Sequence, residues 1–216
     1  MIGEVNRVPE GQYARMALPL FPLPDFVLLP GLILPLYIFE PRYRDLLARV
    51  RASGEPFGIL RLLPPGDERT PFSSRVAQIG TLAHLREVVD HEDGTASILV
   101  VGGERFEVLR FDESRSYLGA EVRMLPLKEG DPRVVEALSR KVLDGALSLR
   151  RPGESSAENR EGRARELAPQ DPVLLATYCA ALLPLSGEQR EAVLEAPTLA
   201  DRFETLAMWV PTRTLN

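Results

Sequence analysis

The chain has 216 residues, 44% hydrophobic and 26% charged, which is the balance of an ordinary folded protein able to bury a core without metals or disulfides. Its formal net charge of -5 and pI near 5.3 argue against binding nucleic acid by bulk electrostatics. The single cysteine, Cys179, excludes an intramolecular disulfide and a cysteine-rich zinc site.

The first residues, Met1 to Arg7, lack the apolar run of a signal peptide. The longest apolar stretch, Phe26 to Phe39, is interrupted by Pro30, Gly31 and Pro35. A membrane-spanning helix needs roughly 20 apolar residues, so no membrane partner is expected and the cytoplasm is the expected location. Residues 1–15 are read as an N-terminal extension. Ala17 to Leu23 predicts a strand whose prolines confine it to a sheet edge or to a segment with few ladder bonds. Pro30-Gly31 marks a turn, and Ile33 to Phe39 predicts a second strand. Pro41 opens a helix to Arg51, with Tyr43, Leu46, Leu47 and Val50 forming one apolar stripe and Gly54 as its stop.

Phe57 to Leu62 returns to strand, followed by a proline-rich polar loop over Pro64 to Pro71. Two long strands, Ala77 to Val89 and Ser97 to Phe111, flank an Asp93-Gly94 hairpin signal. Gly102-Gly103 inside the second predicts a bulge or a bend at a barrel corner. Tyr117 to Leu125 alternates cleanly and closes the series. Six short strands with one inserted helix suit a small, partly open barrel.

After Gly130-Asp131-Pro132 the apolar residues recur at helical spacing. Helices are predicted from Pro132 to about Leu149, from Pro172 (capped by Asp171) to about Leu183, from a capping box at Ser186-Gly187-Glu188-Gln189 to about Ala196, and from Thr198 onward. A polar break over Arg151 to Ser156 separates the first two. The predicted fold class is α+β: a six-stranded pseudo-barrel over 16–129 with one inserted helix, then a helical bundle over 131–211 and a tail at 212–216.

The order and spacing of several motifs resemble the opening of Lon protease. They are Leu18-Pro19-Leu20-Phe21-Pro22-Leu23, Leu29-Pro30-Gly31, Leu34-Pro35-Leu36-Tyr37-Ile38-Phe39-Glu40-Pro41-Arg42-Tyr43-Arg44, Gly80-Thr81-Leu82-Ala83 and Gly103-Glu104-Arg105-Phe106. Asp171-Pro172 and Leu183-Pro184-Leu185-Ser186 resemble the family's bundle, so the likeness covers nearly the whole chain. Tyr37 stands where that family often has histidine. The resemblance implies a stand-alone copy of the amino-terminal, substrate-binding domain. It engages unfolded or tagged polypeptide, or a protein partner, with weak self-association as a further reading. No Gly-x-x-x-x-Gly-Lys-Ser/Thr loop is present, and neither lysine, Lys128 or Lys141, follows a glycine. No cofactor, nucleic acid or catalytic residue is therefore expected. An enzyme with an unassigned small-molecule pocket is the alternative from another class.

The candidate polypeptide-binding residues are Leu28, Leu29, Pro30, Gly31, Leu32 and Tyr37. Turns sit at surfaces, and exposed leucines there would form a weakly directional apolar patch. The competing reading folds these leucines onto the core. His84 and His91 suggest a metal site with Glu87, Asp90, Glu92 and Asp93, but a step of three along a strand points His84 and Glu87 to opposite faces unless a bulge intervenes, and the acidic turn reads more simply as a solvated hairpin tip. Arg42, Arg44, Arg49 and Arg51 read as a solvated helix face. Cys179, inside an apolar run, reads as a small buried hydrophobe.

Overall fold

The computed structural model describes residues 15–64, 71–149, 162 and 164–210. The N-terminal extension, most of the Pro64–Pro71 loop, the polar break at 151–156 and the tail at 212–216 lie outside the described residues.

Six strands form one sheet: β1 (Arg15–Pro24), β2 (Ile33–Ile38), β3 (Phe57–Leu62), β4 (Ile79–Asp90), β5 (Ala96–Asp112) and β6 (Gly119–Met124). Their order is β2-β5-β4-β3-β1-β6, and an added β5–β6 pairing closes five of them into a ring with β2 appended outside it. The pseudo-barrel is thus a five-stranded ring rather than a regular six-stranded barrel. Two devices make the closure possible. β1 changes partner midway, pairing with β6 over Arg15–Pro19 and in parallel with β3 over Leu20–Pro24. Each half therefore has one neighbour, which is how a strand with three prolines sits within a sheet. β5 is long enough to pair with β2 through its first half and with β6 through its second.

Bulges bend both long strands. Thr81 and Ala83 pair with Arg105 and Gly102, placing an extra residue on β5 beside Gly103, where the paired glycines predicted a bend. Leu85 and Glu87 pair with the adjacent Val100 and Leu99, leaving Arg86 as the extra residue on β4.

The inserted helix α1 (Pro41–Ser53) buries Tyr43, Leu46, Leu47 and Val50, the predicted stripe, and ends on Gly54 in the left-handed conformation at φ 70°. This stripe packs with Leu28, Ile38, Ile98 and Val100 against one sheet face. Leu18, Leu20, Phe106, Val108 and Val122 fill the ring.

Four further helices are described over their full length: α2 (Pro132–Ser148), α3 (Pro172–Leu182), α4 (Gly187–Glu195) and α5 (Leu199–Met208). Asp131 and Asp171 cap α2 and α3, each followed by proline at the first position. Ser186 and Gln189 form the capping box of α4, and Thr198 with Asp201 forms another on α5. Val142, Ala176, Cys179, Val193, Phe203 and Leu206 make the helical core, which also takes Val27 and Leu29 from the β1–β2 connection. No described helix is long and apolar enough to cross a membrane.

Candidate polypeptide-binding surface

The predicted hairpin patch divides on the structure. Leu28 and Leu29 are 1% and 3% exposed. Leu28 enters the core under α1, while Leu29 enters the helical core, so the connection is nailed down on both sides. Pro30 and Leu32 are half-buried and Gly31 is exposed. The Pro30 carbonyl accepts a hydrogen bond from the Thr177 hydroxyl at 2.7 Å. Fully burying a leucine contributes roughly 1.5–3 kcal/mol, enough to draw both side chains inward when two cores flank the loop.

Tyr37 does lie on the surface, and it marks a larger face. Alternation along β2 sends Leu34, Leu36 and Ile38 to the core and turns Ile33, Pro35 and Tyr37 outward. Ile33, Tyr37 and the following Phe39 are 60%, 54% and 57% exposed. Register places Val101, Leu99 and Ser97 of β5 beside Ile33, Pro35 and Tyr37, and Val89 of β4 beside Ser97. These residues make an outward face that is apolar along β2 and β5 except at Ser97, beyond which Val89 of β4 continues it. The Tyr37 ring lies 6.1 Å from Phe39 and 5.9 Å from His91, and its hydroxyl shares a 2.8 Å hydrogen bond with Thr95. That bond anchors the polar end while the ring stays open to a partner, the usual value of tyrosine at an interface.

The signal for Ile33, Pro35 and Phe39 was in the sequence. A strand apolar at every position is either buried on both faces or carries an exposed apolar face. β2 has only β5 as a neighbour among the described residues, so its other edge is unpaired, and Ile33, Pro35 and Tyr37 on its outer face are exposed.

The bulge at Arg86 overturns one expectation. His84 pairs with Val101 and Glu87 with Leu99, two residues apart on β5, so both turn to the same outer face. Their nearest acidic company differs: His84 Nε2 lies 3.8 Å from a Glu104 carboxylate oxygen. Among the described residues no group of three His, Cys, Asp or Glu side chains is placed to hold a metal. Cys179 is fully buried, and burial pushes its thiol up to about 12, far from thiolate reactivity. On α1, Arg42 pairs with Glu40 at 2.8 Å and lies 4.6 Å over the Tyr43 ring, and Arg51 pairs with Asp90 at 2.9 Å.

The fold thus joins a five-stranded ring and an appended apolar strand to a helical part. The sequence model of the ATP-dependent protease La (LON) substrate-binding domain matches residues 17–210, and the chain belongs to that family. Lon protease of Azorhizobium caulinodans is 27% identical over 204 residues, covering 94% of this chain and 24% of that protein. Lon protease of Rhizobium meliloti is 26% identical, covering 86% and 23%. The chain thus spans about a quarter of the length of these relatives. Among solved structures, a Lon N-terminal domain protein from Xanthomonas campestris matches at TM-score 0.60 and 27% identity, covering 91% of this chain and 99% of that one. The N-terminal domain of Mycobacterium avium complex Lon protease shares the fold at TM-score 0.64 and 22% identity, covering 90% and 98%. What matches is the substrate-binding part, and these 216 residues carry neither the ATPase nor the protease module of Lon.

Proposed function

We propose that the chain binds unfolded or tagged polypeptide segments, in the cytoplasm, by laying them across the outer face of β2, β5 and β4. The observation that carries this reading is the exposed strip of Ile33, Pro35, Tyr37, Phe39 and Val89, which no described element covers. An apolar face with few directional groups accepts many sequences, since a rigid polar pocket would discriminate among side chains. Membership in a family described as substrate-binding supports the same reading. Two of the hairpin-patch residues first expected, Leu28 and Leu29, serve the reading indirectly: they fix the chain that leads into β2.

Fluorescence anisotropy with a labelled, permanently unfolded protein tests it. Wild type is expected to bind at micromolar concentration, and Ile33→Ser with Tyr37→Ser is expected to weaken binding at least about tenfold, the loss of two anchoring side chains. Unchanged binding in that double variant would remove the face from consideration. Because both residues are exposed, stability should change by less than about 0.5 kcal/mol each. Leu28→Ala, by contrast, is expected to cost about 2–4 kcal/mol in chemical denaturation while leaving the affinity of the folded fraction intact.

A further inference from the structure

At Val101 the apolar face runs into a cleft of about 440 Å³ between the sheet and the helices. Its walls include Leu125, Leu127, Val173 and Leu174, and its basic lining is His84, Arg86, Arg105 and Arg202. Gly102 forms part of the rim, where a Cβ would stand 2.2 Å from the Leu29 carbonyl oxygen, so the rim admits no side chain. Arg105 and Arg202 are 3% and 1% exposed.

Both guanidiniums are held by carbonyl oxygens alone. Arg105 donates to Leu125, Leu194 and Ala196 at 3.0, 2.6 and 2.6 Å, and to Pro126 and Pro197 at 3.4 Å. Arg202 donates to Val193 and Leu194 at 3.1 and 3.5 Å, and its Nη1 has no partner. Among the described residues neither takes part in an ion pair. The carbonyls belong largely to the C-terminal end of α4, whose dipole offsets a part of the charge. Two buried cations of like sign remain beside each other, and burial together with the Arg105 charge pushes the Arg202 guanidinium down to about 10. That value still leaves it charged at neutral pH. Buried charge without a counter-ion is unfavourable, and an anion entering from the cleft relieves it.

The third arginine is placed by the β4 bulge. Arg86 is the residue left over between Leu85 and Glu87, it is exposed, and it stands at the cleft mouth. Bulges of this kind re-aim a side chain at functional rims. Glu104 is the one carboxylate lining the cleft, and it is 71% exposed.

We propose that this cleft reads a carboxylate carried on an apolar body, and specifically the free C-terminal carboxylate of a polypeptide whose preceding residues lie on the β2 face. The proposal rests on the polypeptide-binding reading and deepens it. The apolar walls take the last side chain, Arg86 and the unpartnered Nη1 of Arg202 take the terminal charge, and Arg105, whose five N–H groups already meet carbonyls, adds its field. Continuity at Val101, which belongs to both surfaces, lets one extended segment occupy them together.

The test uses the whole chain and a short fluorescein-labelled apolar peptide ending in leucine, prepared as free acid and as C-terminal amide. The acid is expected to bind about tenfold more tightly, the scale of one charge-assisted contact. Arg86→Glu, at an exposed position, is expected to abolish that difference. Octanoate, added as competitor, should erase the advantage of the acid in wild type. Equal affinity of acid and amide would overturn the carboxylate site and leave the apolar face standing. An acid advantage that survives both Arg86→Glu and octanoate would overturn the assignment to this cleft. If neither peptide binds, the polypeptide-binding reading itself falls, and this proposal with it.

Discussion

Two arginines tie the sheet to the helices, and they do it with different chemistry. Arg61 on β3, 7% exposed, meets carboxylates: its Nε donates to Glu191 of α4 at 2.9 Å, and Asp25 lies 3.6 Å from its Nη1. Arg105 on β5 meets five carbonyls and no carboxylate. The first contact is electrically closed. The second fixes the same helix end yet leaves positive charge in excess beside a cleft. A buried charge matched by a side chain reads as a fastening; one matched only by backbone dipoles can fasten and attract at once.

The largest effect should come from Arg105→Met. It removes a donor from five carbonyls at the joint of β5, the 125–126 segment and the end of α4, leaving Leu194 only Arg202 and Pro197 only the Lys128 N–H, and is expected to cost about 3–5 kcal/mol, read as a lower denaturant midpoint by circular dichroism. Glu191→Gln tests the closed contact. Arg61 keeps a neutral acceptor and the exposed Asp25, so the loss should be smaller, about 1–3 kcal/mol. If Glu191→Gln proved the more damaging of the two, the ranking of carbonyl cage over ion pair would be wrong.

Sequence patterning reveals the two buried arginines of the cleft, Arg202 and Arg105, unequally. Arg202 follows Leu199 by three and precedes Leu206 by four, which places a charge on the apolar stripe of α5, next to Phe203. That was a usable signal. Arg105 stands between Glu104 and Phe106 on a strand whose bulge shifts the alternation, so its face could not be counted from the sequence. The same difficulty put His84 and Glu87 on opposite faces when the Arg86 bulge puts them on one. Local features with a fixed chemical cause were legible: the α1 stripe, the Asp171 and Ser186 caps, and the Gly102-Gly103 bend. Features decided by what lies across space were not, namely the partner change along β1, the closure of β5 onto β6 and the burial of Leu28 and Leu29. Of the candidate face, Tyr37 was read directly. Its neighbours needed the knowledge that β2 is appended outside the ring.

The smallest effect lies beside the closed contact. Glu195 sits one turn beyond Glu191 on α4 and is exposed over much of its surface. Burial first, and the Glu191 charge second, hold its carboxyl above the ordinary glutamate range, with Arg61 opposing. A raised folded value means that the folded chain binds its proton more readily than the unfolded chain does. This group therefore subtracts stability as pH rises above the ordinary value near about 4.3, and the penalty is fully present at neutral pH. Glu195→Gln removes it. With solvent screening the gain at pH 7 should stay below about 0.5 kcal/mol and vanish at pH well below the ordinary glutamate value. Thermal melts of both proteins across that range check the sign. A destabilised Glu195→Gln at neutral pH would mean that Glu195 helps Glu191 hold Arg61, and that the closed contact has three carboxylates rather than two.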